Sequence, residues 1–154
     1  MDANPSNPFQ SPEAELIEST DSATLRTPVY SVAAVGVATF FGTPLGGAWV
    51  LAHNLRTLGL GNKVATAWWL GIGLLVASFI LSLVLPENIP TLPFVMAQLF
   101  GMVQYAKSTL GDRVDQHKAQ NGAMYSNWRA FGIALLFTLA VLVVMVPLLL
   151  VIEG

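Results

Sequence analysis

Two histidines, His53 and His117, and two aspartates, Asp112 and Asp115, are the side chains here whose types could bind zinc or relay protons. Their spacing follows no metal-ligand pattern. Asp115 and His117 stand two residues apart and would leave a helix on different sides. His53 closes an apolar run beside Asn54 and Arg56, as a residue at the lipid headgroup level does. No metal or cofactor is expected.

Nucleophilic chemistry fares no better. Ser78 and Ser82 lie in an apolar run with no histidine or acid at similar depth, so no nucleophile–base pair forms. The chain has no cysteine, which removes disulfides, thiolate metal sites and thiol lipidation. Gln98 and Gln104 are the amides of another apolar run. Gln98 reads as a cross-helix hydrogen bond and Gln104 as an interfacial residue.

The elements that must hold these residues follow from the charge distribution. Of 154 residues, 54% are hydrophobic and 10% charged, against about 25% charged in a soluble domain. Four stretches, 29–52, 64–86, 88–106 and 130–152, carry no charge and run 24, 23, 19 and 23 residues. As helices they would be roughly 28–36 Å long, which matches a hydrocarbon core of about 30 Å. A soluble enzyme, a nucleic-acid binder and a disordered protein are excluded. The expectation is an all-α membrane protein: a four-transmembrane-helix bundle with spans 29–52, 64–86, 89–106 and 130–152.

Residues 1–28 hold four prolines and five acids among Ser, Thr and Asn, a composition that reads as a flexible acidic tail. Ser11 and Pro12 ahead of two glutamates signal one or two helical turns at 11–17. No basic start or apolar core of a signal peptide is present.

The first span is rich in Gly and Pro. Ala34, Ala38, Gly42 and Gly46 recur every four residues, and Gly42–Gly46 is a GxxxG, a stripe on which a second helix can pack closely. Gly47 and, in the third span, Gly101 extend the set of small packing residues. Within a four-helix bundle this stripe serves internal packing first, and a homo-oligomer or partner contact second. Pro44 removes a backbone hydrogen bond and should kink the helix.

Arg56, Lys63 and Arg129, with Trp68, Trp69 and Trp128, flank the spans as interfacial anchors in a lipid bilayer. If the tail and the turn after the second span share a side, that side holds Arg26 alone. The loops 53–63 and 107–129 hold the other six Lys and Arg. The positive-inside rule then places both loops in the cytoplasm and the C-terminus outside. A second arrangement follows if the first span is re-entrant or broken: the tail stays cytoplasmic and the other spans keep their direction.

The tail motif Asn7-Pro8-Phe9-Gln10-Ser11-Pro12 resembles the NPY-Q-x-P start of uncharacterised small bacterial inner-membrane proteins, with Phe9 in place of Tyr. GTPLGGAWVLAHNLRTLG and SNWRAFGI are similar to recurring segments of that group. The resemblance implies a bacterial inner membrane and attaches no activity.

No ionisable group lies deep in any span, which argues against ion- or proton-coupled transport. The expected function is therefore non-enzymatic: an accessory or interaction subunit, as a homo-oligomer or with a membrane-protein partner. A small channel for uncharged solutes, lined by Gln98, and an immunity-type membrane protein are the alternatives.

Overall fold

The computed structural model describes residues 24–86 and 88–153. The helix signal at 11–17 and the rest of the tail to residue 23 lie outside the described residues. Among the described residues four long helices build the fold: α1 (Val32–Thr57), α2 (Val64–Val84, entered through a 3-10 turn at Gly61–Lys63), α3 (Leu92–Ala119) and α4 (Asn127–Glu153). Among the described residues three segments, Val32–Thr57 counted through its kink, Gly61–Val84 and Asn127–Val151, have the length and composition of membrane-crossing helices. The helices have the length and composition of a helical membrane protein.

α1 departs most from the sequence expectation. Ser31 caps its start, accepting a hydrogen bond from the Ala34 N–H at 3.1 Å. Helical geometry breaks at Thr43, whose φ of 66° and ψ of 169° belong to no helix. Pro44 then opens a second limb, where its missing N–H costs nothing and its fixed φ suits the first helical position.

The chain reverses at this break. A Cβ on Gly46 would lie 2.8 Å from the Ala38 carbonyl oxygen, and one on Gly47 would run into the Thr39 side chain. Farther down, the Asn54 amide bonds both backbone groups of Tyr30 at 2.7 Å. In a straight helix residues 30 and 54 would stand about 36 Å apart. The pairs 46 with 38, 47 with 39 and 54 with 30 step in opposite directions, as they do in an antiparallel hairpin.

The predicted span 29–52 is therefore broken at Thr43, the second form weighed from the sequence. It is a helical hairpin whose limbs, about 16 and 21 Å long, each fall short of the roughly 30 Å hydrocarbon core. The physical reason lies in Gly42, Thr43 and Pro44: two residues that weaken a helix flank one held at positive φ. The small side chains then let the limbs close on each other.

The hairpin is also the core. Fifteen of its residues are buried, against two in α2 and five in α3. α2 packs on the second limb, with Gly71 so close that a Cβ would sit 2.7 Å from the Ala48 Cβ and 2.9 Å from the Pro44 oxygen. α3 offers a buried stripe of Met102, Ala106, Leu110, Val114 and His117 at helical spacing. α4 buries Ala130 and Ala134; a Cβ on Gly42 would meet the Ala134 Cβ and oxygen at 2.8 Å. α2 and α3 run antiparallel, tied by a Gln98–Ser78 hydrogen bond.

Two further boundaries move. The third predicted span, 89–106, is the start of α3, which continues as helix to Ala119 and takes in half of the predicted loop 107–129. Its later turns carry Lys107, Asp112, Arg113, Asp115 and Lys118, so α3 does not rank with the three membrane-length apolar segments. Only 120–126 remains as a connection. The end of the predicted tail is also structured: Leu25 and Val29 exchange backbone hydrogen bonds with Ala123 and Tyr125 at 2.9–3.1 Å.

Candidate functional site

The base of the hairpin is where separated parts of the chain converge. Residues 25–30, the α1–α2 connection and the α3–α4 connection all meet there. Asn54 is 1% exposed and Tyr30 fully buried, so the paired amide satisfies a backbone N–H and C=O that would otherwise be buried without partners. Rings close around this staple. Tyr30 lies 4.6 Å from Tyr125, 5.4 Å from His53 and 6.4 Å from Trp49, centroid to centroid. His53 stacks on Trp49, one turn before it, and its Nε2 bonds the Pro28 carbonyl at 3.1 Å.

Arg129 covers the cluster from α4, its guanidinium carbon 4.1 Å from the Tyr125 ring centroid. Beneath it the Tyr30 hydroxyl is buried and, among the described residues, has no hydrogen-bond partner of good geometry. Burial pushes the Tyr30 phenol pKa up, and the nearby Arg129 charge offsets part of that rise.

The two histidines do not come together. His117, 3% exposed, uses Nε2 on the Ala123 carbonyl at 3.0 Å and so braces the 120–126 connection. Asp112 and Asp115 are exposed and line a different cavity, with Gln104 and Lys107. Among the described residues no group of three or more His, Cys, Asp or Glu could hold a metal ion.

The small residues are distributed by the hairpin rather than along one face. Ala34 and Ala38 are buried on the first limb, Gly42 faces α4, and Gly46 and Gly47 face the first limb across the turn. Gly42 and Gly46 thus lie on opposite sides of the break at Thr43, and the GxxxG reading is corrected: the pair forms no single helix face. Gly101 is half-buried, and a Cβ on it would meet only a Leu74 methyl, at 4.0 Å.

Gln98 spends its amide on the Ser78 hydroxyl, which in turn donates to the Leu74 carbonyl at 2.8 Å. A cavity of about 260 Å³ beyond them is lined by Ser82, Thr91 and Gln98 among apolar neighbours. Arg56 and Lys63 are exposed near the base. Trp69 and Trp128 are 73% and 80% exposed in the first turns of α2 and α4, while Trp68 packs against the core.

Sequence reasoning missed Tyr30, Trp49, Asn54 and Tyr125. One signal was available: Asn54 is an amide near the end of a helix whose preceding turn is Val50, Leu51 and Ala52, all buried. Its partner, 24 residues upstream, follows only from the hairpin. No protein-family model, curated protein or solved structure matches the chain.

Proposed function

We propose that this protein is a non-enzymatic integral membrane protein acting as an accessory or interaction subunit. The observation that carries this reading is the division of labour in the fold. Polar side chains with chemical potential are committed to structure: Asn54, His53 and His117 bond backbone groups at the hairpin base, Thr39 bonds the Val35 carbonyl of its own limb, and Gln98 bonds Ser78 across α2 and α3. What faces outward is apolar. The outer half of α4 presents Leu139, Val143, Val146 and Leu150, each 49–67% exposed.

The hairpin also supports a topology, the second of the two weighed from the sequence. The hairpin enters and leaves on one membrane face, α2 and α4 cross, and α3 crosses through its apolar first half, with the uncharged turn 88–91 completing that span. All seven Lys and Arg, Arg26 included, then gather on the face of the hairpin base, and the far connection keeps only Glu87. By the positive-inside rule that face is cytoplasmic and the C-terminus is outside. The resemblance of the tail motif and of SNWRAFGI to small bacterial proteins supports an inner-membrane location.

Native mass spectrometry of the protein extracted gently from its host membrane tests the reading. The expected result is a fixed assembly, homo-oligomeric or with one stoichiometric partner, that dissociates when Leu139 and Val143 are both changed to Ala. A monomer in every gentle detergent, together with flux of a polar uncharged solute into proteoliposomes, would replace it with the channel reading.

A further inference from the structure

The C-terminal ends of α1 and α3 frame a groove of about 480 Å³, walled by Arg56, Leu58, Arg113, Gln116, His117 and Gln120, with Thr24 and Leu25 at one edge. That volume falls within the roughly 300–1,000 Å³ of small-molecule sites. Among the described residues its lining contains two guanidiniums and no carboxylate.

The sequence of α3 enforces this separation of sign. Arg113, Gln116, His117 and Gln120 are three, four and seven residues apart and face the groove. Asp112 and Asp115 face another cavity with Lys107. Neither arginine has a carboxylate partner among the described residues. Arg113 is also held in place, because its Nη1 donates to the Leu58 carbonyl at 2.9 Å. A guanidinium carries five donors in a fixed fork, so four remain.

Two helix C-termini end here, and their carbonyls disfavour an anion. The local bonding blunts that effect. Arg113 takes the Leu58 oxygen, and the backbone N–H groups of Gln120 and Gly122 take the Gln116 and His117 oxygens. The field in the groove is left to Arg56 and Arg113.

We infer that this groove is a phosphate-binding site, formed by Arg56 and Arg113 with the amides of Gln116 and Gln120. It lies at the base of the hairpin, on the basic end of a membrane protein, where pockets between helices take anionic headgroups. Bidentate guanidinium–phosphate pairing supplies the affinity. The phosphate is that of a lipid headgroup or a free phosphate; the chemistry at the arginines is shared.

The test uses the full chain in nanodiscs of zwitterionic phosphatidylcholine. Binding is titrated with an anionic phosphatidylglycerol and, separately, with inorganic phosphate. Saturable binding is expected, weakened about tenfold in Arg56→Gln and further in Arg56→Gln/Arg113→Gln, with Lys63→Gln unchanged. Saturation by phosphatidylglycerol alone identifies a headgroup, and saturation by both identifies a phosphate site without lipid selectivity. Among the described residues the Arg56 side chain makes no hydrogen bond that Arg56→Gln would break, so this variant keeps the test valid if the double variant does not fold.

Equal binding by wild type and Arg56→Gln would overturn the assignment. So would a wild-type chain that binds neither ligand until Asp2, Glu13, Glu15, Glu18 and Asp21 are neutralised, because the groove would then belong to the acidic tail. These readouts are independent of whether a protein partner exists.

Discussion

Replacing Asn54 with Leu removes the staple at the base of the hairpin and nothing else of similar weight. The two side chains are close in volume, so packing changes little. Both hydrogen bonds to Tyr30, each 2.7 Å, are lost. The Tyr30 N–H and C=O stay buried, because the whole residue is out of contact with solvent. Each buried group left unpaired costs about 1–3 kcal/mol, giving about 2–6 kcal/mol in all. Asn54→Asp keeps the acceptor, loses the donor and buries a charge, so it should be at least as damaging. Thr39→Val is the control, because its hydroxyl bonds only the Val35 carbonyl within its own helix limb; it should cost less than about 1 kcal/mol. The assay is reversible unfolding in mixed micelles, followed by tryptophan fluorescence, since Trp49 belongs to the cluster. An Asn54→Leu protein within about 0.5 kcal/mol of wild type, the size of an ordinary surface substitution, would refute the reasoning.

Three further outcomes are expected. Gly71→Val should lower folded yield sharply, because its Cβ would meet Ala48 and the Pro44 carbonyl at 2.7 and 2.9 Å, whereas Gly73→Val, with nothing within 4 Å, should fold normally; size-exclusion profiles in detergent distinguish them. Thr43→Gly should raise stability by about 1–3 kcal/mol, because glycine alone adopts φ 66° and ψ 169° without strain; thermal unfolding in detergent reads it. Gln98→Leu should cost only about 0.6 kcal/mol, the typical value of an interhelical hydrogen bond in a membrane protein; mixed-micelle unfolding measures it, and a several-fold larger loss would show that Ser78 depends on Gln98 more heavily than a single bond allows.

The helical membrane class was legible in the four charge-free stretches, because the hydrocarbon core imposes a length and a composition that survive in one dimension. The position of α2 and the beginning of α4 were legible within about three residues for the same reason. The hairpin was not. Gly42, Thr43 and Pro44 announce a break, but a kink of modest angle and a full reversal share the same residues. The outcome depends on whether Gly46, Gly47, Ala38 and Thr39 can close on each other, which is a tertiary matter.

The extension of α3 was hidden in the same way. Residues 107–119 are polar and read as a loop, yet Leu110, Val114 and His117 continue the stripe begun by Met102 and Ala106. The base of the hairpin depends on Tyr30 meeting Asn54 across 24 residues, and local pattern carries no information about such a pair. The basic groove was half legible: the excess of arginine and lysine in two loops was visible, but not that Arg56 and Arg113 line one cavity.

The hairpin itself is open to a direct test, made clean by the absence of cysteine. Single cysteines at Thr27, Asn62, Gln120 and Glu87 would be labelled with a membrane-impermeant maleimide in intact spheroplasts and in inverted vesicles. A re-entrant α1 predicts that Thr27, Asn62 and Gln120 label together, in inverted vesicles only, and that Glu87 labels in spheroplasts. Labelling of Thr27 and Asn62 from opposite sides would show that α1 crosses the membrane, and would contradict the fold on which the rest of this account stands.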